Sequence, residues 1–165
     1  MTDSLIDAET AARVGTVAAT ASGEVIRRDW QRWAAAVGDD NPLWFDPDYA
    51  RANGYRDVIC PPLYLQYAIL GVSPLSALRP DGSSGAVSGG LAFPKAPRRM
   101  AGGESTTFHL PAYHRDEIEM VRTISSVVEK DGRSGRFVLV TWHTVYRNQR
   151  GELVAEASTS MIARP

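Results

Sequence analysis

The chain has 165 residues, 44% of them hydrophobic and 22% charged, with a formal net charge of -1. That length suits one domain with a proper core, and the charge balance excludes a basic nucleic-acid footprint and an acidic tail. A single cysteine, Cys60, rules out an intrachain disulfide framework and fits a reducing compartment. The N-terminus lacks the basic and apolar regions of a signal peptide, and no apolar run reaches the length of a membrane span, so a cytoplasmic protein is expected.

Residues 1–15 are polar and alanine-rich, a loose or weakly helical lead-in. Thr16–Ala21 reads as a short strand before a turn at Ser22-Gly23. Ile26, Trp30, Trp33, Ala34 and Val37 then recur at helical spacing with charged residues between them. This is an amphipathic helix ended by Gly38. The string Gly38-Asp39-Asp40-Asn41-Pro42-Leu43-Trp44 follows. Its Asp, Asn and Pro are common turn formers, and the same polar knot can hold a carboxylate at the edge of a core. Asp46-Pro47 and Asn53-Gly54 bound a short helix over Pro47–Asn53. Pro61-Pro62 opens a segment to Gly71 in which Gln66 is the single polar side chain, the signature of a helix wrapped by protein on all sides.

Residues 71–103 are rich in Gly, Ser and Pro and read as an irregular insertion, with Ala86–Phe93 a possible strand. From Glu104 the pattern changes to strands: Glu104–Leu110, Glu117–Glu129, Arg136–Tyr146 and Glu152–Ala163, the last three separated by turn residues. Both faces of Arg136–Tyr146 are largely apolar. Either the core helix covers one face and a partner the other, or the irregular segment folds over it. Helices followed by an antiparallel meander predict an α+β domain with the sheet wrapped around the apolar helix.

Several stretches, in this order, resemble the MaoC-like hydratases and dehydratases, in their N-terminal, fatty-acid-synthase-like dehydratase branch. They are Ala36-Val37-Gly38-Asp39-Asp40-Asn41-Pro42-Leu43, Tyr49-Ala50-Arg51-Ala52, Ile59-Cys60-Pro61-Pro62, Val121-Arg122-Thr123-Ile124-Ser125, Glu129 to Gly135, and Gly151-Glu152-Leu153-Val154-Ala155. The resemblance implies a hot-dog fold across residues 1–165, paired hot dogs, and acyl thioesters on coenzyme A or an acyl carrier protein as substrates. It implies neither a cofactor nor a metal.

Hydration of a trans-2-enoyl thioester needs a base to activate water and donors for the developing enolate. In the resembled family these duties fall on an aspartate and a histidine within Gly-Asp-x-Asn-Pro-Leu-His. Asp39 takes the aspartate position and Asn41 the supporting asparagine, but Trp44 stands in place of the histidine. Indole donates a hydrogen bond and cannot shuttle a proton. Nothing in the sequence aims His109, His114 or His143 at Asp39. Candidates for substrate contact are Trp44 itself, the helix start at Pro62 and Leu63, near a thioester oxygen, and Lys95, Arg98 and Arg99, toward phosphates. The bland alternatives are a helix-ending turn for Asp39 and a solvated basic loop for the three cations.

The expectation is a subunit of an (R)-specific trans-2-enoyl-CoA hydratase or 3-hydroxyacyl thioester dehydratase, shaping the acyl pocket beside a catalytic MaoC-like partner. The alternatives are a self-sufficient homodimer using Asp39 and a non-enzymatic thioester-binding hot dog. A thioesterase ranks last, because the core helix offers only Gln66 as a polar group.

Overall fold

The computed structural model describes residues 4–70, 74–78, 80 and 91–165. Among the described residues four α-helices and five strands follow one another as α1 (Ala8–Ala12), β1 (Val17–Glu24), α2 (Arg27–Val37), α3 (Pro47–Ala52), α4 (Leu65–Ile69), β2 (Arg98–Phe108), β3 (Glu117–Gly132), β4 (Gly135–Asn148) and β5 (Leu153–Arg164). The strands form one antiparallel sheet in the order β1-β3-β4-β5-β2. This is the expected α+β hot-dog arrangement, with α4 laid against β1 and β3. Among the described residues no helix is long and apolar enough to cross a membrane.

Alternation along β4 explains how the sheet chooses its buried side. Val138, Val140, Trp142, Thr144 and Tyr146 face inward and are buried, while His143 is exposed and Phe137, Leu139, Thr141 and Val145 are half-buried. Both coverings foreseen from the sequence act on the same face. Under α2, α3 and α4 lies one apolar cluster, with Trp30, Trp44, Tyr64, Leu65, Ile118 and Tyr146 among its members. Leu91, Phe93, Ala96 and Leu5 cover the other half of that face, over Val138, Val140 and Trp142. Each fully buried large side chain here contributes roughly 1.5–3 kcal/mol of transfer free energy.

The structure corrects several boundaries. Ser22-Gly23 is no turn: β1 runs through it to Glu24. The lead-in holds the short helix α1, capped by Asp7, whose side chain accepts from the Thr10 amide at 2.7 Å. The irregular stretch ends earlier than expected, because β2 begins at Arg98 and pairs with the C-terminal end of β5. Leu91–Phe93 is not a strand, and residues 86–90 lie outside the described residues.

The largest correction concerns the core helix, expected over residues 61–71 and wrapped all round. It is a 3-10 turn, Pro62–Tyr64, followed by the five-residue α4. Tyr64, Leu65 and Ile69 are buried, but Leu63, Tyr67 and Leu70 are 62%, 49% and 60% exposed. An apolar stripe at i, i+4 and i+7 thus faces away from the core.

Candidate functional site

The loop from Gly38 to Asp46 is built by a chain of local caps. Gly38 ends α2 in the left-handed region at φ 73°, a conformation glycine adopts without steric cost, and the Asp39 amide then bonds back to the Ala34 carbonyl at 2.9 Å. The Asp39 carboxylate accepts from the Asn41 amide at 3.3 Å, and the Asn41 side chain accepts from the Leu43 amide at 3.0 Å. Asn41 thereby caps the 3-10 turn Pro42–Trp44, and Asp46 caps α3 through the amides of Asp48 and Tyr49. Of these residues, Asp40 and Asp46 are exposed and Asp39 and Asn41 half-buried.

Trp44 turns inward. It is 6% exposed, packed in the cluster that holds Trp30 and Ala50, and its indole Nε1 is buried without a hydrogen-bond partner among the described residues. Its carbonyl accepts from Gln31 Nε2 at 3.0 Å and from Trp30 Nε1 at 3.4 Å. The side chain that replaces the motif histidine is therefore a core residue.

A cavity of about 220 Å³ is walled in part by the segment to which this loop is tied. The Ile59 amide bonds to the Leu43 carbonyl at 3.1 Å, and the Cys60 amide to the Ala112 carbonyl at 2.8 Å. Ile59, Cys60, Leu65, Phe108 and Ala112 wall the cavity, and its lining is mainly apolar. Asp39, Asn41 and Trp44 are not among its walls. Burial pushes the Cys60 thiol far above its ordinary pKa, with a smaller push from Asp116 in the same direction.

Pro62 lines this cavity. Its chemistry differs from the expectation, because Pro61 and Pro62 carry no amide hydrogen. Within residues 61–63 the only backbone donor is that of Leu63, whose side chain lies in a smaller neighbouring hollow.

Lys95, Arg98 and Arg99 do not converge on the cavity. Lys95 Nζ donates to the Ser4 carbonyl at 3.0 Å, Arg98 Nε to Pro165 at 2.6 Å, and Arg99 to the Leu91 carbonyl at 3.3 Å. Lys95 and Arg98 thus hold residues near the two ends of the chain, and Arg99 holds the segment before β2.

None of the three histidines meets Asp39. His109 Nε2 lies 3.1 Å from Glu156 Oε2, and His143 Nε2 lies 3.4 Å from the other oxygen of the same carboxylate. His114 Nδ1 lies 3.4 Å from the Arg27 amide. His109 is also a wall residue of the cavity, as is Tyr55. Sequence reasoning passed over Tyr55, Phe108, Ala112 and the His109–Glu156 pair. The one signal for them was the apolar run Leu110-Pro111-Ala112 where a plain polar turn would be ordinary. Among the described residues no group of three His, Cys, Asp or Glu side chains is placed to hold a metal ion.

Comparison with known proteins gives this geometry a context. A UPF0336 protein of Parafrankia sp. (strain EAN1pec) is 33% identical over 141 residues, 86% of this chain and 84% of its own length. A probable enoyl-CoA hydratase alpha subunit of Thermomonospora curvata is 31% identical over 76% of this chain, which spans only 40% of that protein. Among solved structures, the ChsH1-ChsH2 complex from Mycobacterium tuberculosis contains a chain that superposes with a TM-score of 0.76 at 20% identity, covering 94% of this chain and 86% of that one. The unliganded R-hydratase PhaJ1 from Pseudomonas aeruginosa gives 0.61 at 22% identity, over 92% and 81% of the two chains. The family model described as "FAS1-like, dehydratase domain region" matches residues 12–157, and the chain belongs to that family, the MaoC-like hot-dog dehydratases.

Proposed function

We propose that this chain is the non-catalytic half of an (R)-specific trans-2-enoyl thioester hydratase or 3-hydroxyacyl thioester dehydratase. It shapes the acyl pocket, and a MaoC-like partner with an intact Asp/His motif supplies the proton chemistry. The observation that carries this reading is Trp44, at the histidine position, buried in the core and absent from the cavity's walls. A motif loop without its proton shuttle, beside a well-formed apolar cavity, is what a pocket-forming subunit retains. The exposed stripe of Leu63, Tyr67 and Leu70 on the helix supports pairing with a second hot dog. The acyl carrier in this reading is coenzyme A or an acyl carrier protein, and the compartment is the cytoplasm.

The test assays crotonyl-CoA and longer enoyl-CoA hydration with the chain alone and with a co-expressed MaoC-like chain carrying Gly-Asp-x-Asn-Pro-Leu-His. Activity is expected only in the mixture. Full turnover by the isolated chain would overturn the reading.

One observation favours a second reading, a self-sufficient homodimer. His109 borders the cavity with its ring held by Glu156, a base–orienter pair of the kind that hydration needs. In that case His109→Gln abolishes an activity that the isolated chain possesses. Asp39 then serves as the turn residue that its bond to Asn41 describes.

A further inference from the structure

The apolar cavity has a neighbour. A smaller hollow of about 20 Å³ lies beside it, and Pro62, Leu65 and Phe108 wall both. Both are lined mainly by apolar surface: Tyr55 and His109 join Ile59, Cys60, Leu110 and Ala112 around the first, and Leu63 and Ala155 join Gln66, Glu104, Thr106 and Tyr146 around the second. Glu104 accepts from the Thr106 hydroxyl at 3.2 Å, so this end of the groove presents a carboxylate already engaged in a polar pair.

Of the three dividing residues, Pro62 and Leu65 belong to the helix start, and Leu65 is 4% exposed in the core. Phe108 is different. It is the last residue of the edge strand β2, 42% exposed, and its ring has no aromatic partner recorded among the described residues. Removing it joins the two spaces without opening the core.

We infer that Phe108 sets the length of acyl chain this protein accepts, stopping a short hydrocarbon tail at the end of the apolar cavity. The inference rests on the reading of that cavity as an acyl seat. Within the cavity each added methylene leaves water for an apolar wall, which strengthens binding roughly fourfold per methylene. At the end of the cavity the tail meets the Phe108 ring, which stands between it and the smaller hollow. Affinity therefore climbs with chain length and then levels off at the Phe108 ring.

Calorimetric titration of the full chain with butyryl-, hexanoyl-, octanoyl- and decanoyl-CoA tests this, since saturated chains bind without reacting. Wild-type affinity is expected to rise and then plateau. Phe108→Ala is expected to move the plateau to longer chains, with octanoyl-CoA gaining about tenfold over wild type, the worth of one to two methylenes. Adding Thr106→Phe to that variant refills the smaller hollow and should cancel the gain. Thermal melts of both variants confirm the fold. An identical length profile in wild type and Phe108→Ala, with butyryl-CoA still binding, overturns the role of Phe108 alone. Failure of every acyl-CoA to bind the wild type overturns the acyl-seat reading beneath it.

Discussion

Gly23 on β1 faces the backbone of Ala68 so closely that a Cβ at position 23 would stand 2.0 Å from the Ala68 carbonyl oxygen. The contact fixes how near α4 sits to the sheet, and with it the position of Leu65, which walls the cavity. It also explains why a glycine interrupts a strand, where it otherwise weakens pairing.

Gly23→Ala is therefore expected to push α4 off β1. The obstacle is backbone on both sides, not the tip of a flexible side chain, so the strain is not relieved by a rotamer change. Overpacking of this kind costs about 1–3 kcal/mol. Urea denaturation should show a lower midpoint with an unchanged slope, and acyl-CoA affinity should fall with it because Leu65 moves.

At Trp44 the sequence invites restoration of the motif histidine, and the structure says what that would do. The indole fills a core position against Trp30 and Ala50, so Trp44→His leaves a void and buries an imidazole nitrogen. The expected loss is about 2–4 kcal/mol, somewhat below the 3–5 kcal/mol typical of Trp→Ala in a core. No hydratase activity should appear, because position 44 does not reach the cavity. Trp44→Phe keeps most of the packing and removes the unpartnered indole N–H, so its loss should be much smaller. Parallel denaturation curves and a crotonyl-CoA assay check all three expectations.

The same position shows how much was legible in the sequence. The motif loop, its caps and the strand meander all follow from local rules: turn chemistry, capping residues and alternation act over a few residues and leave marks in order. What the sequence could not reveal was direction in space. Trp44 was identified as the substituted site residue, yet whether its ring points at substrate or into the core depends on contacts with α2, fourteen residues earlier. A helix start suggests free amide donors, although Pro61 and Pro62 have none to offer. Ser22-Gly23 looked like a turn because the requirement for glycine there comes from Ala68, across the fold. Phe108 and His109 carried no motif, and only the pairing of β2 with β5 brings them to the cavity.

Exposed apolar side chains in a stripe call for a cover. Leu63, Tyr67 and Leu70 project from one side of the helix while Tyr64, Leu65 and Ile69 hold the other side in the core. Leu63 and Leu70 are the two most exposed of the three, so Leu63→Asp and Leu70→Asp should change stability by only about 0.5 kcal/mol in a monomer, whereas Tyr67 also packs its ring against Trp33 and Tyr64. Association should suffer far more, since each charge would have to be buried unpaired at an interface. Light scattering after gel filtration is expected to show the wild type paired, with itself or with a co-expressed partner, and the double variant monomeric. A wild type that stays monomeric under every condition would leave the stripe unexplained and remove this support for pairing.

The buried thiol makes a pH prediction with a definite sign. Burial, the larger cause, and the Asp116 charge, the smaller, both raise the Cys60 pKa in the folded protein above its ordinary value of 9.0. Below that value the thiol is protonated in both folded and unfolded chains, and pH has no leverage through it. Above it the unfolded chain releases the proton and the folded chain keeps it. Stability then falls with rising pH, by about 1.4 kcal/mol for each unit. Tyr64 and Tyr146 are also raised, chiefly by burial, from an ordinary value of 10.0, so they add to the loss only at still higher pH. The window between pH 9 and 10 isolates the cysteine. Urea midpoints of the wild type should decline across that window, and those of Cys60→Ala, although lower throughout, should stay level. In the same range the folded protein should react with iodoacetamide far more slowly than the urea-unfolded chain, because the thiolate is the nucleophile and the fold suppresses it. A Cys60→Ala variant that declines in step with the wild type would assign the alkaline loss to other groups.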